Sequence, residues 1–79
     1  MHKKVYEKVV QGKSDYNIAF DDLRNLLIDL GFQYRRQRGS HIMYWHEGAG
    51  IFVNLQKDGA NAKAYEVRQV RDAIKKYGL

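Results

Sequence analysis

Arg35-Arg36-Gln37-Arg38-Gly39-Ser40-His41 puts three guanidinium groups and one imidazole around a single tight turn. Arginine matches phosphate oxygens through two parallel N–H bonds. Glycine lets backbone approach a ligand closely, and free N–H groups in such a turn can hold an anion. A histidine beside that anion titrates near neutral pH, so it can take or give a proton. These are the parts needed to cut RNA without a metal ion. The ribose 2′-OH loses its proton, attacks the neighbouring phosphorus and expels the 5′-oxygen. The same seven residues also suit a plain hairpin turn with solvated arginines and a histidine opening a strand.

A second catalytic histidine is hard to find. Positions 41 and 46 differ by an odd number, so in a regular strand His41 shares a face with Met43 and Trp45, whereas His46 shares one with Ile42 and Tyr44. His46 reads as a solvated strand-end histidine, and His2 has no role. If His41 faces outward, Trp45 lies on its side and could stack on a base. Trp45 also fits as a large half-buried residue, and Tyr34, Tyr44 and Phe52 read as packing groups. Further along, Lys63, Arg68, Arg71, Lys75 and Lys76 offer positive charge. Arg68, Arg71 and Lys75 are spaced to line one helix face, either straddling phosphates beside the sheet or simply solvated. There is no phosphate-binding Gly-rich loop, no facing pair of carboxylates and no metal-ligand spacing. Asp21-Asp22 are adjacent on a helix and are read as capping.

The elements that must hold these residues follow from periodicity. Residues 3–10 form a short helix on Val5, Val9 and Val10, broken at Gly12-Lys13-Ser14-Asp15. A second helix runs from Phe20 to Leu30, with Phe20, Leu23, Leu26, Leu27 and Leu30 on one stripe. Asp21 and Asp22 sit in its first turn, where the dipole favours acid. Gly31 ends it in a left-handed conformation, with Phe32 folding back. Strands are expected at 33–37, 41–46 and 51–55, separated by Gly39-Ser40 and Glu47-Gly48-Ala49-Gly50. Turns this short imply antiparallel neighbours. Gln56 to Ala64 is loop-like, and a last helix spans Tyr65 to Lys76 on Val67, Val70, Ile74 and Tyr77. The expected class is α+β: a three-stranded antiparallel meander with helices on one face and the other face open.

Composition narrows the function classes. Seventy-nine residues make one domain, 1–79, and not two. The chain has no Cys, so no disulfide supports it; a 44% hydrophobic content is nevertheless enough for a core. No apolar run is long enough to cross a membrane, and Met1-His2-Lys3-Lys4 opens too polar a stretch for a signal peptide, so the cytoplasm is the expected location. Net charge is +5, which suits a polyanionic partner. Its distribution is uneven. Segment 15–29 carries net −3, whereas 33–46 and 57–76 each carry net +3.

One ordered set of motifs is similar to the HicA family of small bacterial toxins, over about residues 5–79. It comprises Glu7-Lys8-Val9-Val10-Gln11-Gly12, then Phe20-Asp21-Asp22-Leu23 with Leu26-Leu27, then Leu30-Gly31-Phe32 leading into Arg38-Gly39-Ser40-His41. Val53-Asn54-Leu55-Gln56, Ala62-Lys63-Ala64-Tyr65-Glu66-Val67 and Tyr77-Gly78-Leu79 complete it. The resemblance implies a fold like the double-stranded-RNA-binding domain, α-β-β-β-α, here with an extra N-terminal helix. It implies a metal-independent, ribosome-independent mRNA interferase, the toxin of a type II toxin-antitoxin system, blocked by a HicB-type antitoxin and needing no cofactor. The family's catalytic histidine maps to His41, and the glycine and serine before it to Gly39 and Ser40. Two departures stand out. Many relatives carry a second polar residue after that histidine, where this chain has Ile42. Many also carry Val-Pro-x-His where this chain has Val53-Asn54-Leu55-Gln56. Among Ser40, Gln56 and Lys57, which could bond a phosphate, only Lys57 could give a proton.

The leading expectation is therefore an endoribonuclease with His41 as general acid/base and Arg35, Arg36, Arg38, Lys57, Lys63, Arg68, Arg71 and Lys75 on RNA. The alternative is a module that grips structured RNA by shape without cutting it.

Overall fold

The computed structural model describes residues 3–79. His2 lies outside them. Six elements follow one another: α1 (Lys3–Gln11), α2 (Phe20–Asp29), β1 (Phe32–Arg38), β2 (His41–His46), β3 (Ile51–Gln56) and α3 (Ala64–Tyr77). The strands form one antiparallel sheet in the order β1-β2-β3. This is the expected α+β arrangement, with each boundary within a residue or two of its sequence-based position.

The apolar stripes meet on one side of the sheet. Phe20, Leu23, Leu26 and Leu27 of α2, Val67, Val70 and Ile74 of α3 and Val9 of α1 are buried with Ile42, Tyr44, Val53 and Leu55 of the sheet. Burying a leucine fully contributes about 1.5–3 kcal/mol, so the four α2 positions alone fix that helix to the sheet. Ile18 and Ala62, inside segments that read as loop, join this core. Backbone bonds hold them there: Phe20 N–H donates to Ala60 O (2.8 Å) and Ala62 N–H to Ile18 O (2.8 Å).

Helix ends behave partly as expected. Gly31 has φ +101° and Gly78 φ +65°, conformations that glycine adopts at little cost. Asp21 and Asp22 do lie in the first turn of α2, yet they do not cap it. The cap is Ala19, with no side-chain bond, and Asp21 instead stands 3.5 Å from Arg24.

His46 is corrected more sharply. It is half-buried and not solvated. Its Nδ1 accepts the Ala49 N–H at 2.9 Å, so Nε2 carries the proton and donates to Leu30 O at 3.0 Å. Its ring packs edge-on against Phe32 at 5.0 Å. A Cβ at Gly31 would sit 3.1 Å from the ring and one at Gly48 3.2 Å. Two glycines thus make room for a histidine that ties the end of α2 to the β2–β3 turn.

Candidate nucleic-acid interface and active site

β1 carries a bulge just before the residues that line the site. Phe32 pairs with His46, Gln33 with Trp45 and Tyr34 with Tyr44; then the register slips, and Arg36 pairs with Met43, Gln37 with Ile42 and Arg38 with His41. Arg35 is the extra residue. A bulge places two residues of one strand opposite one of its partner and resets the alternation of faces. Phe32 and Tyr34 are on the helix side of the sheet. Without the slip Arg36 and Arg38 would follow them. With it, both stand on the open face beside His41.

On that face Arg36, Arg38, His41, Met43 and Asn54 line a shallow cleft of about 210 Å³. Pockets for drug-sized ligands usually run to roughly 300–1,000 Å³, so this one suits a phosphate and its sugar better than a whole small molecule. His41 is exposed, and among the described residues none hydrogen-bonds its ring. Parity is right in separating His41 from His46, which points to the core.

The preceding turn is braced by backbone. Gly39 has φ +60° with open space where a Cβ would stand, so the turn requires its conformation and not its small size. Gln37 Nε2 donates to Gly39 O at 3.0 Å. Lys57 N–H donates to Ser40 O at 2.9 Å. Gln56, opposite His41 in the ladder, gives its own N–H to the Glu66 carboxylate. Glu66 is fully buried and also accepts the Lys63 N–H at 3.0 Å. One carboxylate thus joins the end of β3 to the start of α3, just behind His41.

The remaining candidates divide. Arg35 does not line the cleft; its guanidinium lies 5.7 Å from the Trp45 ring centre. The Lys57 ammonium lies 5.9 Å from the centre of the Phe20 ring, on the helix side, and does not line the cleft. Lys63 Nζ pairs with Asp58 at 3.3 Å. Arg68 and Lys75 are exposed on α3, which covers the sheet's other face, so a helix face straddling the same phosphates as His41 is not formed. Arg71 is withdrawn altogether: its guanidinium bonds both Asp15 carboxylate oxygens, at 2.9 and 3.2 Å, and Val9 O at 3.2 Å.

One cleft residue is not singled out by the sequence. Asn54 faces Met43, and a four-residue turn pairing His46 with Ile51 would have located it by counting. Phe52 packs on the open face and not in the core. It is 49% exposed and tilted against Trp45 with ring centres 4.5 Å apart. Tyr34, also read as a packing group, is exposed at the sheet edge and packs edge-on against Tyr44.

A sequence model of the family described as HicA toxin of bacterial toxin-antitoxin matches residues 20–79. The chain belongs to the HicA toxin family. Its role is thus that of a toxin in a bacterial toxin–antitoxin system. The matched span holds α2, the whole sheet and α3, including the bulge and the His41 cleft; α1, which the sequence resemblance included, lies outside it. No curated protein and no solved structure matches the chain. Among the described residues, no helix of this HicA chain is long and apolar enough to cross a membrane.

Proposed function

We propose that this HicA toxin is an endoribonuclease of mRNA that cuts at the His41 cleft without a metal ion, and that a HicB-type antitoxin binds and blocks it. The observation that carries the reading is the regular pairing of Arg38 with His41 and of Arg36 with Met43, which sets both arginines on the face of an exposed histidine and in one cleft with it. In the proposed step the neutral His41 imidazole takes the 2′-OH proton. The 2′-oxygen bonds to phosphorus, the bond from phosphorus to the 5′-oxygen breaks, and the leaving oxygen recovers the proton from the imidazolium through water in the open cleft. Arg36 and Arg38 offset the charge that grows on the phosphoryl oxygens. The products are a 2′,3′-cyclic phosphate and a 5′-hydroxyl.

The test is incubation with mRNA in EDTA. Fragments ending in cyclic phosphate support the reading, and His41→Ala should cut about 10²–10⁴-fold more slowly while keeping its fold. Wild-type rates in His41→Ala would sink the assignment. One observation favours a second reading, a non-catalytic RNA-binding module: no described side chain orients the His41 ring. Intact RNA with a salt-sensitive gel shift would select it.

A further inference from the structure

We infer that the open face of the sheet holds a second subsite, a stacking platform for one unpaired RNA base, built by Arg35, Trp45 and Phe52. The inference rests on the reading that RNA is the substrate, and it adds the class: single-stranded at this position.

Trp45 shares the open face with His41, four residues along β2. At about 3.3 Å per residue that is roughly 13 Å, against about 3.4 Å for one step of a stacked strand. In a stacked strand the base on Trp45 is therefore not one of the two that flank the cut. Phe52 is its cross-strand partner, and the two rings are tilted by 46° and not stacked face to face. The Trp45 indole N–H is held by Glu47 at 3.0 Å, which fixes the ring plane. The bulge residue Arg35 brings its guanidinium to 5.7 Å from the ring centre. Aromatic faces that accept bases regardless of sequence, with an arginine alongside, are how single strands are held.

Charge decides for RNA over an apolar protein partner. Between the platform and His41 the open face carries Arg36 and Arg38 and no acid, and Glu47, the acid at the far end, is engaged by the indole. A base on Trp45 would run its phosphates along the two arginines into the cleft. A duplex cannot use the platform, since its bases are already stacked and paired.

Trp45 is the sole tryptophan, so its emission reports on the platform directly. The experiment uses the full chain with His41→Ala, keeping the RNA intact, excited where tyrosine does not absorb. An unstructured oligoribonucleotide should quench the emission saturably, and the same strand annealed to its complement should not. Trp45→Ala and Phe52→Ala should each weaken binding roughly 5- to 150-fold, whereas Trp45→Phe, which keeps a ring, should lose less. Phe52→Ala and Trp45→Phe keep the test decisive should Trp45→Ala not fold. Salt-sensitive binding with unchanged emission and an unaffected Phe52→Ala overturns the platform. So does equal quenching by duplex, or quenching by an antitoxin protein and not by RNA. The two readings fail separately. Wild-type cleavage with silent emission removes the platform and leaves the nuclease; quenching without wild-type cleavage removes the nuclease and leaves the platform.

Discussion

Arg36 stands opposite Met43, one residue out of step with Tyr34 opposite Tyr44. That slip lets Phe32 and Tyr34 face the core while Arg36 and Arg38 face solvent. On its near side even-numbered residues of β1 face the core; past it they face solvent, level with the odd-numbered residues of β2. His41 and its two arginines are neighbours through the regular pairing that leaves the Gly39-Ser40 turn, and the unpaired Arg35 beyond them lets Phe32 and Tyr34 turn to the opposite face.

If Arg36 and Arg38 hold phosphate, each should count in the salt dependence of RNA binding. Arg36→Ala and Arg38→Ala should weaken binding to unrelated sequences alike. Each should lower the slope of log affinity against log salt by about 0.7, the value for one single-strand phosphate contact. Arg68→Ala, on the helix layer, should leave the slope unchanged. Titrations at several salt concentrations check this, and an equal effect of Arg68→Ala would place RNA on α3.

The two strand histidines should dissociate stability from activity. His41→Ala removes an exposed ring without a described partner, so unfolding should move by no more than about 0.5 kcal/mol while cleavage is lost. His46→Ala leaves the Ala49 N–H and Leu30 O without their ring partner and opens a hole beside Phe32. A loss of about 1–3 kcal/mol is expected, with cleavage retained wherever the protein stays folded. Urea unfolding beside a cleavage assay reads both.

What the sequence reveals and what it hides have separate physical origins. The helices and the three strands are legible because Leu23, Leu26, Leu27, Val67, Val70 and Ile74 repeat at helical spacing and glycines punctuate the rest. His41 is legible as an outward residue because parity holds along β2. Counting back from the Gly39-Ser40 turn likewise sets Arg38 and Arg36 beside it, but the change of face before them is hidden: a bulge is a property of the pairing, and nothing in Gln33-Tyr34-Arg35-Arg36 marks which residue goes unpaired. The role of His46 is hidden because its partners are backbone atoms of Leu30 and Ala49, which any sequence supplies. The role of Arg71 is hidden because its partner, Asp15, lies 56 residues away.

Tyr44 supplies a pH dependence. Burial, above all, raises it over the ordinary tyrosine value of 10.0; nearby Arg24 pulls the other way and Tyr34 adds to the rise. The folded state therefore keeps this proton more tightly than the unfolded chain does. Its contribution is fully present below pH 10.0 and is lost as pH climbs through the higher folded value. Stability of the wild type should fall above pH 10.0, and Tyr44→Phe should flatten that part of the curve relative to wild type. Urea midpoints measured from neutral pH upward test the difference, and parallel curves would refute it.

Arg71 and Asp15 form the remaining testable tie, with side chains only 16% and 12% exposed. The hydrogen bond that Arg71 donates to Asp15 is the main reason Arg71 is held above the usual arginine value, with burial opposing it. A raised cation contributes stability until pH passes its folded value, so no loss on the Arg71 side is expected in the working range. The pair matters for where it sits: Asp15 and Val9 precede the family-matched span, and Arg71 is inside it. Arg71→Met strands a half-buried carboxylate and frees the α1–α2 connection. Allowing for partial exposure, it should cost about 1–3 kcal/mol, or roughly 4–20 °C in melting temperature for a domain of this size. Asp15→Leu combined with Arg71→Met should recover part of that, since neither charge is then left unpaired. Because α1 is also held by Tyr6 Oη donating to Leu79 O at 3.1 Å, the single variant should loosen the segment before the whole protein melts. Limited proteolysis should then cut first between Gly12 and Asn17, and first cuts inside the sheet would show that the pair does not anchor α1.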